Sequence, residues 1–358
     1  MKISTKTIIL WVVLLILVPT AVLILVPSPC AKIVDLVQPL NGSEDLAYEP
    51  ELFYVTKYGL IAAISALFGL LMTMLLQDRQ TTCADRLPAA AWGSVGALLG
   101  ARLLYMATRY SYIMVDLGGM DFLWQFWQGG YTLYGGLLGG MAAIAIYARV
   151  RGKKIMPLLD AVTPGGLLTL CGLRVAESVT GQGFSKLMDD IGLMFLPFQT
   201  EDETLLVWAY EAIAALIALA VVLYMRRKNQ PSGRTMEVGL SIVSAVQILL
   251  DSWRADELIR FGFVRLNMLA AALTLLAVLT CRIVRCIRRD GKKQEVRCII
   301  RGALLLLGAG ACIAVEFALD KSAVNNGILY IVMMAAVAVM LAVVLMDDGR
   351  TCEKEERN

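Results

Sequence analysis

Seven side chains that could bind an anion or carry a proton fall within or beside long apolar stretches of this sequence. They are three carboxylic acids, two arginines and two tyrosines, namely Glu177, Glu211, Asp251, Arg102, Arg174, Tyr58 and Tyr134. A charged group inside an apolar helix is costly unless it is paired or reaches water, so such a residue indicates an ion pair or a ligand site. The arginines could hold an anion, and the carboxyl and phenol groups could transfer a proton.

Histidine is absent from the sequence, which removes the usual general base near neutral pH and the commonest metal ligand. The eight cysteines are scattered and include no CxxC pair, so neither a metal site nor a disulfide framework is predicted. No cofactor is predicted either. A carboxyl group whose pKa is raised by burial could act as the base, and the sequence does not choose among Glu177, Glu211 and Asp251. A phenol such as Tyr134, with an ordinary pKa of about 10, is a poor base.

The elements that position these side chains are predicted to be transmembrane helices. Hydrophobic residues make up 58% of the 358 residues and charged residues only 18%, more apolar surface than a soluble core could bury. Lipid leaves no partner for an unpaired backbone group, and a helix needs about 20 apolar residues to cross it. The predicted fold class is therefore an all-α polytopic membrane protein with about ten spanning helices, at 7–27, 55–76, 88–108, 129–149, 156–175, 204–225, 237–253, 264–284, 299–318 and 327–346.

The distribution of basic residues predicts the orientation of these helices. Lysine and arginine collect in alternate connections, at 2–6, 79–86, 149–154, 226–234 and 282–297. By the positive-inside rule these connections and both termini lie in the cytoplasm. The first stretch is predicted to be a retained anchor, because proline precedes Cys30 and fits neither a small-residue cleavage site nor a lipobox. The basic stretch 282–301 lacks an aromatic platform, so nucleic-acid binding is not predicted.

Seven short segments appear in a recognisable order. They read KYGL at 57–60, GARLLY at 100–105, WQGGYTLYGGLLGG at 127–140, DAVTP at 160–164, GLRVAESVTGQG at 172–183, YE at 210–211 and QILLDSWR at 247–254. Together they resemble the motifs of the prolipoprotein diacylglyceryl transferase family, which include GxRxxY, W-x-GG-x-x-x-HGGLxG, GRxGNFxNGExxG and RxxxEFxR.

Arg174 keeps the arginine of the third of these family motifs, while several neighbouring positions depart from the pattern. Tyr134 stands where the family has histidine, and Glu177 stands where it has asparagine. In the same motif as Glu177, the second asparagine is replaced by Thr180 and the acidic residue by Gln182. In the last motif, the arginine is replaced by Gln247 and the glutamate by Asp251.

The resemblance implies a seven-helix core over 51–284, with 1–50 and 285–358 as additions, in the cytoplasmic membrane of a bacterium. It implies transfer of a diacylglyceryl group from phosphatidylglycerol to the cysteine thiol of a lipobox peptide, with release of glycerol phosphate. Arg174 would then bind the phosphate, unless it only pairs with Glu177 one turn away. Arg102 would assist it, or pair with Asp160 or Asp251. Tyr58 would hydrogen-bond the head group, or anchor its helix at the interface.

Three functions remain open from the sequence. The first is a working transferase with phosphatidylglycerol and preprolipoprotein as partners. The second is a relative that binds lipid or peptide without transferring, which the altered motif positions suggest. The third is a small-solute transporter, although no inverted repeat is visible. The glycines at 135, 136, 139 and 140 are predicted to allow close helix packing, with room for a lipid as the alternative.

Overall fold

The computed structural model describes most of the chain after residue 52. The described residues are 31–34, 53–76, 78, 80–116, 119–123, 129–192, 196–228, 231–255, 260–261, 264–290, 295–322 and 324–345. Nine long helices lie in this part of the chain: α1 Lys57–Leu75, α2 Cys83–Thr108, α4 Leu133–Val150, α5 Ile155–Glu177, α7 Val207–Arg226, α8 Arg234–Trp253, α9 Leu266–Asp290, α10 Glu295–Lys321 and α11 Asn326–Leu345. Two short helices, α3 and α6, cover Tyr110–Asp116 and Met188–Ile191, and a 3-10 turn covers Gly119–Leu123.

The prediction of an all-α polytopic membrane protein is confirmed. Each of the nine predicted stretches from 55–76 onward coincides with a long helix, whereas the stretch 7–27 lies outside the described residues. Within the described part of the chain, eight helices are long and apolar enough to span a bilayer. Helix α9 has a shorter apolar portion, Leu266–Arg282.

In two helix pairs, the glycine backbone of one helix directly contacts the backbone of the other. At the α2–α4 seam, a Cβ added to Gly96 would lie 2.6 Å from the carbonyl oxygen of Gly139. At the α1–α5 seam, a Cβ on Gly69 would lie 2.5 Å from the carbonyl oxygen of Gly165. The predicted packing role is confirmed for Gly135 and Gly139, because a Cβ on either would collide with the backbone of α2.

Helix α8 is the most enclosed of the long helices that the structure describes, with contacts to α5, α7, α9 and α11. Its polar side chains are buried with it: Gln247 is 4% exposed and Asp251 is 0% exposed. These groups therefore face protein rather than lipid, as the cost of a polar group in lipid requires. At the other end of α8, Asp160 caps its first turn, since the Asp160 carboxylate accepts hydrogen bonds from the amides of Gly233 and Met236.

The last two helices dock on α8 through a small buried polar group. Ser252 of α8 donates a hydrogen bond to Glu316 Oε2 of α10 at 2.7 Å, and its Oγ lies 3.5 Å from the hydroxyl of Tyr330 on α11. The rings of Tyr330 and Trp253 pack edge to face at 6.2 Å. Tyr330, Trp253 and Glu316 are at most 9% exposed, so α8 is a helix of the predicted core on which these additional helices pack.

Three two-stranded ribbons complete the described structure. They are β1 Ala31–Val34 with β2 Phe53–Thr56, β3 Phe184–Leu187 with β4 Thr204–Leu206, and β5 Arg260–Phe261 with β6 Val264–Arg265. The β3–β4 ribbon follows α5 and precedes α7. It is tied to the start of α7 and to the segment after α8, because the amides of Trp208 and Ala255 donate to the carbonyls of Gly183 and Phe184 at 3.0 and 2.9 Å.

Candidate functional site

Five polar side chains meet where α5 ends, α7 begins and α8 ends. We call them the arginine–glutamate cluster, which consists of Arg174, Glu177, Glu211, Gln247 and Arg254. The helices bring them together because Arg174 and Glu177 are in the last turn of α5, Glu211 is in the first turns of α7, and Arg254 directly follows α8.

The cluster is held by bonds that cross between helices. Arg174 pairs with Glu177 on its own helix, and its Nε lies 3.2 Å from Oε2 of Glu211. Its Nη2 also donates to Oε1 of Gln247 at 3.1 Å. Arg254 Nη1 contacts both oxygens of Glu211, at 3.1 and 3.0 Å, and Arg254 Nη2 pairs with Glu177. Gln247 Nε2 closes the ring by donating to Glu211 Oε1 at 2.8 Å.

The charges of the cluster balance, since two arginines face two glutamates and Gln247 is neutral. All four carboxylate oxygens accept at least one bond from a guanidinium group. The ion pair between Arg174 and Glu177, one of the two alternatives considered from the sequence, is formed, and a second buried arginine, Arg254, pairs with the same glutamate.

Glycine lets the chain after α5 pass close to the cluster. Gly183 has a φ of +79°, and a Cβ at this position would lie 3.1 Å from Glu177 Oε2 and 3.3 Å from Arg254 Nη2. A side chain here would be strained and would press on both partners. The turn from Ser178 to Gly183 also contains Gly181, with a φ of +67°.

Asp251 and Tyr134 lie next to the cluster but outside its ion pairs. The Tyr134 hydroxyl is 3.5 Å from Ser244 Oγ and within electrostatic range of Asp251, Arg174 and Glu211. Asn267 Nδ2 donates to Asp251 Oδ1 at 3.4 Å. The other oxygen, Oδ2, is buried and has no hydrogen-bond partner within the described part of the chain. Asp251 is thus the candidate acid whose carboxylate is not taken up by a guanidinium group.

Tyr58 lies near the cluster, whereas Arg102 belongs to a neighbouring site. Tyr58 is within electrostatic range of Glu177 and Arg174. The Arg102 guanidinium stacks 3.6 Å over the ring of Phe122 and donates from Nε to the Phe122 carbonyl at 3.2 Å. No salt bridge joins Arg102 to Asp160 or Asp251, both of which the structure describes, so the ion pair considered from the sequence is not formed.

Tyr131 interacts with both Arg102 and Tyr58. Its ring centre lies 5.5 Å from the Arg102 guanidinium, and its hydroxyl interacts electrostatically with Tyr58. Burial raises the pKa of the Tyr131 phenol above its ordinary value, and the nearby Arg102 charge offsets part of that rise. Tyr131 is therefore a hydrogen-bonding phenol rather than a phenolate near neutral pH.

A small cavity reaches the cluster from between the helices. Its free volume of about 10 Å³ is at the lower limit for one water molecule. Its polar end is formed by Arg174, Glu211 and Gln247, and its remaining walls are aliphatic residues of α5, α7 and α8. The cavity thus has one charged end and apolar walls, and it has room for about one water molecule.

The comparison with known protein families places this arrangement. A model of the family described as prolipoprotein diacylglyceryl transferase matches residues 47–284, well over half of the chain. The chain belongs to this family. The five residues of the arginine–glutamate cluster all lie within the matched region. Helices α10 and α11 lie beyond it.

Individual members of the transferase family match at modest identity. A protein of Lactobacillus delbrueckii subsp. bulgaricus named phosphatidylglycerol–prolipoprotein diacylglyceryl transferase is 26% identical over 246 residues, covering 65% of this chain and 87% of the relative. A protein of the same name from Bacillus licheniformis is 23% identical over 276 residues, covering 74% of this chain and 97% of the relative. The expectations of a transferase family and of a multi-pass membrane protein are confirmed.

Sequence reasoning missed one residue of the cluster and the role of another. Arg254 was visible only as the last position of a motif, yet it contacts both glutamates. Gln247 stands where the family motif has arginine, and its amide bridges Arg174 and Glu211. The sequence marked Gln247 and Arg254 only through their spacing from Asp251 in one motif, and such a spacing does not reveal partners on other helices.

Proposed function

We propose that this protein transfers a diacylglyceryl group from phosphatidylglycerol to the cysteine thiol of a preprolipoprotein lipobox. One observation carries the proposal: Arg174 and Arg254 lie side by side at the end of a spanning bundle, each buried to more than 90%. Two guanidinium groups suit a phosphodiester, which offers oxygens for paired hydrogen bonds. They would also offset the charge that grows on the departing glycerol phosphate.

The orientation that fits this role has the cluster at the outer face of a bacterial cytoplasmic membrane. The opposite ends of α4, α5, α7 and α8 carry the basic residues 149–154 and 226–234. The positive-inside rule assigns that end to the cytoplasm. The cluster would then face the side from which a lipobox cysteine approaches, and residues 51–284 would form the transferase core.

In the reaction, the thiol sulfur attacks the glyceryl carbon that carries the phosphate. A C–S bond forms, the C–O bond to phosphate breaks, glycerol phosphate leaves, and the thiol proton passes to a base. Glu177 and Glu211 are poorly suited to that base, because guanidinium groups engage all their oxygens. Asp251 is the better candidate, with one oxygen that no described residue bonds. Tyr134 and Tyr58 would orient the head group as hydrogen-bond donors.

The test is a transfer assay with the purified full-length chain in mixed micelles of phosphatidylglycerol and a synthetic lipobox peptide. Glycerol phosphate release and the mass of the thioether product are the readouts. Arg174→Ala should lower the rate by about 10²- to 10³-fold. Arg149→Ala, an exposed arginine at the other end of the bundle, should leave it unchanged. Loss of activity in both variants, or in neither, would contradict the assigned role of Arg174.

A second candidate is a relative that binds lipid without transferring it. The balanced charge of the arginine–glutamate cluster favours this candidate, because no net positive charge is left for a phosphate. The same assay separates the two. No product under conditions in which a family enzyme works in parallel, together with retained phosphatidylglycerol binding, would support the second candidate.

A further inference from the structure

Glu177 is held as a phosphate group would be held between the two arginines. One of its carboxylate oxygens pairs with Arg174 and the other with Arg254. A phosphodiester bound by the same two arginines would present its two non-bridging oxygens in the same way. The side chain therefore occupies the position that the proposed function gives to the lipid phosphate.

The net charge of the cluster also indicates that Glu177 takes the place of a phosphate. Two arginines and two glutamates sum to zero, whereas two arginines and Glu211 alone would sum to +1. A phosphodiester carries one negative charge, so it balances the cluster only if one carboxylate leaves. The family motif has a neutral asparagine at position 177 and an arginine at position 247. Relative to that motif, this chain has lost one positive charge at 247 and gained one negative charge at 177.

Of the two carboxylates, Glu177 is the one that can leave. Its side chain is 15% exposed, while that of Glu211 is 3% exposed and is also fixed by Gln247. Glu177 is the last residue of α5, and the turn that follows contains Gly181 and Gly183 at positive φ. The Glu177 side chain can rotate away from the arginines without breaking the backbone bonds of this turn, in which the Thr180 amide donates to the Glu177 carbonyl at 3.0 Å.

We propose that Glu177 is a resident anion that competes with the lipid phosphate for Arg174 and Arg254, and so weakens phosphatidylglycerol binding until it is displaced. This inference rests on the proposed function for the identity of the lipid. It assigns Glu177 to setting lipid affinity rather than to proton transfer. The chain would then hold its site closed and neutral in the absence of lipid.

The experiment is equilibrium binding of radiolabelled phosphatidylglycerol to the full-length protein in micelles of an uncharged detergent. Glu177→Gln keeps the size of the side chain and removes its charge, so we expect the dissociation constant to fall by about tenfold. Glu177→Asp keeps the charge and should stay close to wild type. Diacylglycerol, which has the same acyl chains and no phosphate, should bind all three proteins equally.

Stability in the absence of lipid gives a second readout. Without its carboxylate the cluster carries an unbalanced positive charge, so Glu177→Gln should melt at a lower temperature in uncharged detergent and regain more of its Tm than wild type when phosphatidylglycerol is added. If folded Glu177→Gln can be recovered only when phosphatidylglycerol is present, that outcome would also support the inference, because the lipid would then be needed to balance the charge of the cluster.

Three results would overturn the inference. They are unchanged or weaker phosphatidylglycerol binding by Glu177→Gln, an equal gain for diacylglycerol, and failure of the variant to fold with or without the lipid. None of these depends on thioether formation. If Glu177→Gln binds phosphatidylglycerol more tightly but neither the variant nor the wild type forms a thioether, the proposed transfer activity would be contradicted and this inference would be supported.

Discussion

Replacing Arg254 with methionine should strongly destabilise the protein, because this arginine bonds both glutamates of the arginine–glutamate cluster. Arg254 contacts both oxygens of Glu211 and one oxygen of Glu177. Its side chain is 6% exposed, so water cannot take over these contacts. Methionine fills a similar length of the site but supplies no donor.

The magnitude follows from the charge that is left behind. After Arg254→Met, one arginine faces two glutamates in a site with little access to water, a net charge of −1. Removing one partner of a buried ion pair lowers the free energy of unfolding by about 3–5 kcal/mol, because the remaining charge is buried and unpaired. Arg254→Met combined with Glu177→Gln restores neutrality, so the double variant should recover roughly 1–3 kcal/mol relative to Arg254→Met alone.

The free energy of unfolding can be measured by titrating sodium dodecyl sulfate into the protein in mild micelles and following tryptophan fluorescence. Arg227→Met, an exposed arginine just after α7, serves as the control and should change stability by less than about 0.5 kcal/mol. A loss below about 1 kcal/mol for Arg254→Met, or strict additivity in the double variant, would refute the view that the cluster acts as one charge-balanced unit.

Three further predictions address the scaffold, each by the same unfolding measurement. Gly165→Ala should lower the free energy of unfolding by roughly 1–3 kcal/mol, because the added Cβ would meet the backbone of Gly69. The control Gly166→Ala, which has open space around it, should leave stability unchanged or slightly raised. Equal effects of the two changes would contradict the close backbone contact at this seam. Asp160→Ala should cost about 1–2 kcal/mol through loss of the α8 cap, and Asp160→Asn should recover part of it. Glu316→Leu should cost about 1–3 kcal/mol by leaving Ser252 without its shortest bond, and Glu316→Gln should cost less; an unchanged stability would mean that α10 does not dock through this contact.

The helices could be predicted from the sequence because their signal is local. About 20 apolar residues in succession predict a spanning helix wherever they occur, and the long helices from α1 to α11 follow that signal to within a few residues at most ends. The pair formed by Arg174 and Glu177 was also predictable, since residues three apart on a helix face each other.

The rest of the cluster depends on contacts between helices, which no spacing within one helix reveals. Arg254 reaches Glu177 across 77 positions of sequence, and Gln247 reaches Arg174 across 73. Arg102 shows the same limit in another form. Its partners are the carbonyl and the ring of Phe122, in the 3-10 turn between α3 and α4, rather than the acids that its charge suggested.

The glycine seams have a mechanical consequence for how a lipid could enter. Where backbone rests on backbone, as between α1 and α5 and between α2 and α4, the side chains beside the contact are small, such as Thr169 and Ala143, and leave little to rearrange. Each of these pairs should therefore move as one rigid body. The interface of α5, α7 and α8 is built from side chains and already contains a cavity that ends at Arg174. Widening for a two-chain lipid is consequently easiest there, at the cluster itself, so the charges that would hold the head group would also control the opening through which it arrives.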